Sequence, residues 1–139
     1  FFSWYSPYIP VGLIIQSGAI RKLDREEKRA YNAPFPSSGY KAAIRALPSR
    51  VPIFAQDPES VINKTLWESL GKWEKPFLTL FSNNDPVTRG GDEYMQTRIP
   101  GAIGQNHKRL DAGHFIQEDR YTELAEIIIG FHNRCGTEP

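Results

Sequence analysis

The sequence holds a single cysteine, Cys135, among 139 residues. One thiol excludes an intramolecular disulfide framework and a multi-cysteine metal site, and it fits a reducing compartment. Charge of one sign is also lacking: 17 Lys and Arg stand against 16 Asp and Glu, a formal charge of +1. Such a balance gives no electrostatic footprint for nucleic acid or an anionic membrane. Long apolar runs are absent, since the longest, from Val11 to Ile15, breaks at Gln16, far short of the ~20 residues of a spanning helix. No Gly-x-Ser-x-Gly elbow occurs, nor a version with Asp or Cys in place of Ser, and there is no Gly-rich phosphate loop. His107 and His132 lack metal-ligand spacing to each other or to Cys135. These absences leave a soluble chain of one-domain length, expected to be cytoplasmic.

What is present is aromatic. Phe, Trp and Tyr make up 12% of the residues, a generous share for this length. The chain opens on Phe1-Phe2-Ser3-Trp4-Tyr5, with no initiator Met, polar tail or basic signal-peptide region. Natural termini are polar and loosely ordered, so this opening predicts a piece that begins inside a folded domain.

The first twenty residues, punctuated by Pro7, Pro10, Gly12 and Gly18, predict irregular structure with at most one short helical turn. A charged helix is expected from Arg21 to Tyr31, closed by Asn32-Ala33-Pro34. Ser37 or Ser38 caps a short helix that Pro48 stops. Asp57-Pro58-Glu59 opens another, with Asp as cap and Ile62, Leu66, Leu70 and Trp73 as its apolar face. After Lys75-Pro76 the period changes. Phe77 to Phe81 reads as a strand buried on both faces, and His107 to Leu110 as a second. A helix from Gly90-Gly91-Asp92 to Arg98 lies between them, and an amphipathic helix from Thr122 to Arg134 follows. Strand–helix–strand–helix predicts an α/β arrangement with parallel strands and crossover helices, in which two strands leave a sheet edge uncovered.

Two residues stand where such a sheet binds ligands, at the carboxyl ends of its strands. His114, flanked by Gly113 and Phe115, follows the second strand, and Asp85 follows the first. Taken singly, His114 is either a loop histidine with its bonds satisfied or a base facing a cleft. Asn84-Asp85-Pro86 alone is an ordinary turn. Together, acid then histidine after successive strands make the second half of a hydrolase triad, the acid fixing the imidazole tautomer. Trp4 is either a packed core aromatic or an indole N–H donor over a dry pocket, suited to a halide.

At this point the chain resembles the haloalkane dehalogenases, a branch of the α/β-hydrolase fold, and within it the subfamily with an Asp–His–Asp triad. The matching segments are Phe1-Phe2-Ser3-Trp4, Pro10-Val11-Gly12, Ala30-Tyr31-Asn32-Ala33-Pro34-Phe35-Pro36 and Tyr40-Lys41-Ala42-Ala43. Later ones are Lys75-Pro76-Phe77-Leu78, Asp85-Pro86-Val87-Thr88, Ile99-Pro100-Gly101-Ala102 and Gly113-His114-Phe115-Ile116-Gln117-Glu118-Asp119. They run in the family's order over nearly the whole chain. The resemblance implies the C-terminal part of an α/β-hydrolase fold, with residues 1–72 most of a helical cap and residues 73–139 the end of the main domain. It makes His114 the base, Asp85 its orienting acid and Trp4 a halide donor. Phe1, Leu47, Pro48, Val51 and Val87 then line an apolar pocket.

The implied reaction converts a halogenated hydrocarbon and water to an alcohol, a halide and a proton through an alkyl ester on a carboxylate, and needs neither metal nor organic cofactor. The family's nucleophilic Asp, the Trp beside it and the oxyanion-hole residue belong to its N-terminal half, which this chain lacks, so the chain alone is expected to be inactive. Asn83 stands where relatives often have Asp, outside the triad position. An epoxide hydrolase shares the fold and needs cap tyrosines, for which Tyr5, Tyr8, Tyr31 and Tyr40 qualify by type; Trp4 argues against it. A serine esterase uses the same histidine and acid. A non-catalytic truncated product is the reading outside enzymology.

Overall fold

Proline and asparagine decide where the first helix begins. In a computed structural model of the chain, which describes residues 9–135, helix α1 spans Val11–Gly18. The Pro10 carbonyl accepts from the N–H groups of Leu13 and Ile14 at 3.0 and 3.1 Å. The Asn32 side chain accepts from Gly12 N–H at 3.2 Å. The expectation of irregular structure over this stretch is therefore corrected from Val11 onward, because the helix start is satisfied from twenty residues away. Gly12 is no breaker here. A Cβ on it would lie 2.4 Å from the Lys28 carbonyl oxygen, so its bare backbone permits a close approach.

Helix α2 spans Arg25–Asn32 and starts later than the run of charges predicts. Asp24 accepts from Glu27 N–H at 2.8 Å, and the Glu27 carboxylate accepts from Asp24 N–H at 2.7 Å. This reciprocal box satisfies two orphan donors and defines the first turn. A 3-10 turn, Ser38–Lys41, leads into α3, Ala42–Ala46, and a second 3-10 turn, Leu47–Arg50. Ser37 occupies the cap position, but no side-chain cap bond forms there. The α-helix ends before Pro48, as expected, and Pro48 enters the first turn of the 3-10 segment, where its missing N–H is no loss.

Helix α4, Pro58–Leu70, begins where Asp57-Pro58 predicts. The Asp57 carboxylate, however, accepts from Ile53 and Phe54 N–H at 2.8 and 2.9 Å, turning back on the preceding loop. Its carbonyl serves the helix instead, accepting from Ser60 N–H at 2.9 Å. The apolar face of α4 stays open, with Ile62 61% and Leu66 56% exposed.

Strand β1 is Leu80–Ser82 and β2 is Lys108–Leu110, paired in parallel with Leu80 opposite Lys108 and Ser82 opposite Leu110. Helix α5, Gly91–Arg98, and a 3-10 turn, Pro100–Ala102, make the crossover. The parallel order agrees with the sequence pattern. The strands are shorter than expected, and β1 is half-buried rather than buried on both faces, since the described sheet has two strands. Helices α6, Ile116–Asp119, and α7, Tyr121–Cys135, close the chain. No residue of α7 is buried, and Ile128 and Ile129 are exposed.

By packing, the described residues form two units. One comprises residues 9–16 and 23–68, the other residues 17–22 and 69–135. Ile9 and Leu23 are buried in the first; Ile99, Ala102, Leu110 and Ala112 are buried in the second. The second also buries two carboxylates, Asp85 and Asp92. Arg109 on β2 grips Asp92 on α5 through Nε and Nη2, the latter at 2.9 Å, and reaches Glu93 at 2.7 Å. That bidentate pairing holds the Asp92 carboxyl below its ordinary range and ties the crossover helix to the strand.

Candidate functional site

Beyond their last paired residues, β1 and β2 keep exchanging hydrogen bonds. Asn83 N–H donates to the Leu110 carbonyl at 2.9 Å, and Asn84 N–H to that of Ala112 at 3.1 Å. The two exit loops therefore run side by side, and each delivers one functional side chain. Asp85 arrives from β1 and His114 from β2. His114 Nδ1 lies 3.1 Å from both Asp85 carboxylate oxygens.

Asp85 is 4% exposed, and each of its oxygens has a further partner. Oδ1 accepts from Val87 N–H at 2.8 Å, and Oδ2 from the Thr88 hydroxyl in a short contact. Burial pushes this carboxyl upward. The Thr88 hydroxyl, Val87 N–H and the His114 ring outweigh it, bringing the carboxyl down to about 2. Asp85 is thus an anion at neutral pH, an acceptor at both oxygens. The ring nitrogen facing it must carry the proton, and Nε2 of the neutral imidazole holds the lone pair. The His114 side chain is 36% exposed. Phe115 meets its ring edge-on at 5.0 Å between centroids.

The loop bearing His114 is pinned to residues 18–21. Phe115 N–H donates to the Gly18 carbonyl at 3.2 Å. A Cβ on Gly113 would stand 2.3 Å from that same oxygen, so only glycine allows the approach. The Asp119 carboxylate accepts from Gly113 N–H at 2.8 Å and from Arg21 N–H at 2.8 Å. The Arg21 guanidinium binds the Glu118 carboxylate at 2.7 Å.

Of the residues singled out from sequence, His114, Asp85 and Val87 come together in the second unit. Val87 contributes its main-chain N–H, while the residue as a whole is 71% exposed. Leu47, Pro48 and Val51 belong to the first unit, on and just after the turn Leu47–Arg50, and all are exposed. A groove of about 500 Å³ in that unit is lined by Val51, Ile53 and Phe54, and the Arg50–Glu59 ion pair at 2.8 Å. Phe1 and Trp4 lie outside the described residues. Sequence reasoning gave no role to Thr88 or Asp119. Thr88 had a local signal, an acid and a hydroxyl three residues apart across a turn. Asp119 had none, because its Arg21 partner is 98 residues away.

His107 is held differently. Its Nδ1 accepts from Thr79 N–H at 3.1 Å, and Nε2 donates to the Ala102 carbonyl at 2.8 Å. Both ring nitrogens are engaged by the fold, which makes it a structural histidine. Among the described residues no group of three or more His, Cys, Asp or Glu is gathered to hold a metal. No described helix is long and apolar enough to cross a membrane.

An acid–imidazole pair at the carboxyl ends of adjacent parallel strands is compatible with triad hydrolase chemistry, and comparison with known proteins narrows it. The chain is 45% identical over 130 residues to a haloalkane dehalogenase of Mycobacterium marinum, spanning 94% of this chain and 44% of that protein. The chain is similar to haloalkane dehalogenases over nearly all of its own length. Those of Mycolicibacterium paratuberculosis and Psychrobacter cryohalolentis are 44% and 47% identical over 136 and 131 residues, again 94% of this chain. The chain spans less than half the length of these curated relatives. No family model matches it. Similarity to haloalkane dehalogenases implies an α/β-hydrolase fold, and helices followed by a small parallel sheet are consistent with the C-terminal part of it.

Proposed function

We propose that this chain supplies the base and its orienting acid to a haloalkane dehalogenase, an enzyme that hydrolyses carbon–halogen bonds. The observation that carries this reading is the His114–Asp85 pair at 3.1 Å in a chain similar over 94% of its length to enzymes of that name. In this reading residues 1–72 are most of a helical cap and residues 73–139 the end of the main domain. Supporting it, the described residues before position 72 are helical or irregular, and both described strands come after position 73.

The chemistry divides into two steps. A carboxylate from the half of the family's sequence not found here displaces halide from the substrate carbon, and an alkyl ester forms. Indole N–H groups, Trp4 among them, hold the departing halide. His114 Nε2 then takes a proton from water as that water attacks the ester carbonyl, and Asp85 stabilises the imidazolium. The ester cleaves to the alcohol, and the carboxylate is restored. Phe1, Leu47, Pro48, Val51 and Val87 are the apolar residues the family resemblance assigns to the substrate, a set that favours a halogenated hydrocarbon over a polar one. Neither metal nor organic cofactor takes part.

The test uses the whole protein, with the preceding half of the sequence. His114→Gln should release about one halide per site and stall as an alkyl ester, since the first step does not use the base. Intact-protein mass spectrometry after exposure to a primary bromoalkane reads the added alkyl mass. In a serine esterase the same substitution stops both steps and leaves no adduct. An unmodified, folded His114→Gln protein would refute the carboxylate-nucleophile reading.

A further inference from the structure

Asp85 orients the His114 ring from one end, at Nδ1. Where the ring sits also depends on the main chain that carries it, and that main chain is held by Asp119. The Asp119 carboxylate is saturated with main-chain donors. Oδ1 accepts from Ile20 N–H at 2.9 Å and Arg21 N–H at 2.8 Å; Oδ2 accepts from Ile20 N–H at 3.0 Å and Gly113 N–H at 2.8 Å. One carboxylate therefore clasps residues 20–21 to the residue preceding His114. On the other side of His114, Phe115 N–H is tied to the Gly18 carbonyl. Both peptide neighbours of the base are fastened to the same short segment, with no room for a Cβ at Gly113 between them.

We propose that Asp119 is a positioning residue for His114, setting the location of its Nε2 through the Gly113 peptide while Asp85 sets the ring's orientation. This rests on the reading of His114 as the base that activates water. The side chain must be a carboxylate. Donors reach both of its oxygens, so an amide of the same shape presents an NH2 group to either Arg21 N–H or Gly113 N–H, and one arm of the clasp opens. Bonds from N–H to a carboxylate are charge-assisted and stronger than those to a neutral amide.

The two-step chemistry separates positioning from general structural damage. In the whole protein, Asp119→Asn should alkylate with bromoethane at a rate within about twofold of the parent per folded site. Hydrolysis of the alkyl-enzyme should slow by about 10- to 100-fold, because a base displaced by a fraction of an ångström meets its water poorly. Rapid-quench mass spectrometry should show the ethyl-enzyme accumulating during turnover. Equal losses in both steps, or none in either, would overturn the proposal. His114→Gln runs in parallel: if it traps the adduct while Asp119→Asn hydrolyses normally, only the positioning role fails. If it traps nothing, the proposed reaction fails, and the positioning role with it. Should Asp119→Asn not fold, Asp119→Glu keeps the charge but moves the carboxylate by one methylene off its main-chain donors. A selective hydrolysis defect there supports the proposal, and normal hydrolysis refutes it.

Discussion

The helical unit and the strand-bearing unit are held by contacts of different reach. In the first, Asp24 caps α2 through Glu27, Asp57 turns on Ile53 and Phe54, and Arg45 donates to the Ser38 carbonyl at 2.8 Å. These partners are three to seven residues apart, and even Asn32, which accepts from Gly12 N–H, reaches across only 20. In the second, Asp92 meets Arg109 across 17 residues, Asp85 meets His114 across 29, and Asp119 meets Ile20 across 99. Three carboxylates carry the long contacts, and each is met by several donors. The first unit leaves Leu47, Val51, Ile53, Phe54, Val61, Ile62 and Leu66 exposed. Its local bonds shape helices without burying their faces. The second has few buried apolar side chains, and its buried charges join elements that apolar area alone would hold loosely.

If that contrast is right, the most damaging substitution among these structural carboxylates is at Asp92. Asp92→Ala removes a buried carboxylate that accepts two charge-assisted hydrogen bonds from the exposed Arg109, and should lower stability by about 3 kcal/mol. The urea midpoint of the whole protein reads it; a change below about 1 kcal/mol would mean that apolar contacts hold the crossover.

A smaller effect follows from pH. The Asp85 carboxyl lies at about 2 in the folded chain against an ordinary 3.8. A lowered value means that its stabilisation is complete above 3.8 and is lost as pH falls through about 2. That contribution is about 2 kcal/mol. Stability measured between about pH 4 and pH 2 should therefore fall less steeply in Asp85→Asn than in the parent. Identical slopes would place the acid sensitivity elsewhere.

The smallest effect belongs to the helical unit. Asp24→Ala removes one acceptor from the capping box and should cost about 1 kcal/mol. Thermal melting reads it, and a loss matching that of Asp92→Ala would erase the distinction between the units.

Legibility followed the same line. The helix at Pro58, the parallel strands with a helix between them, and the adjacency of His114 and Asp85 were open to reading, because periodicity and turn residues act over a few positions. Thr88 had a local signal that sequence reasoning did not use. The helix at Val11 was missed, since its Gly12 donor is satisfied by Asn32. Asp57 was assigned to the helix in front of it, yet its carboxylate serves the loop behind.

By itself, the amino-acid sequence determined the α/β order of the second half, the candidate acid and base, and the family they resemble. Those are properties of local spacing and residue type. Only the tertiary structure decided how the base is held: which Asp85 oxygens face it, that both nitrogens of His107 are occupied by the fold, and that Asp119 fastens the Gly113 peptide to residues 20–21. A carboxylate's partners are chosen by which N–H groups chain closure brings within 3 Å, and no pattern of neighbours along the chain encodes a contact across 99 residues.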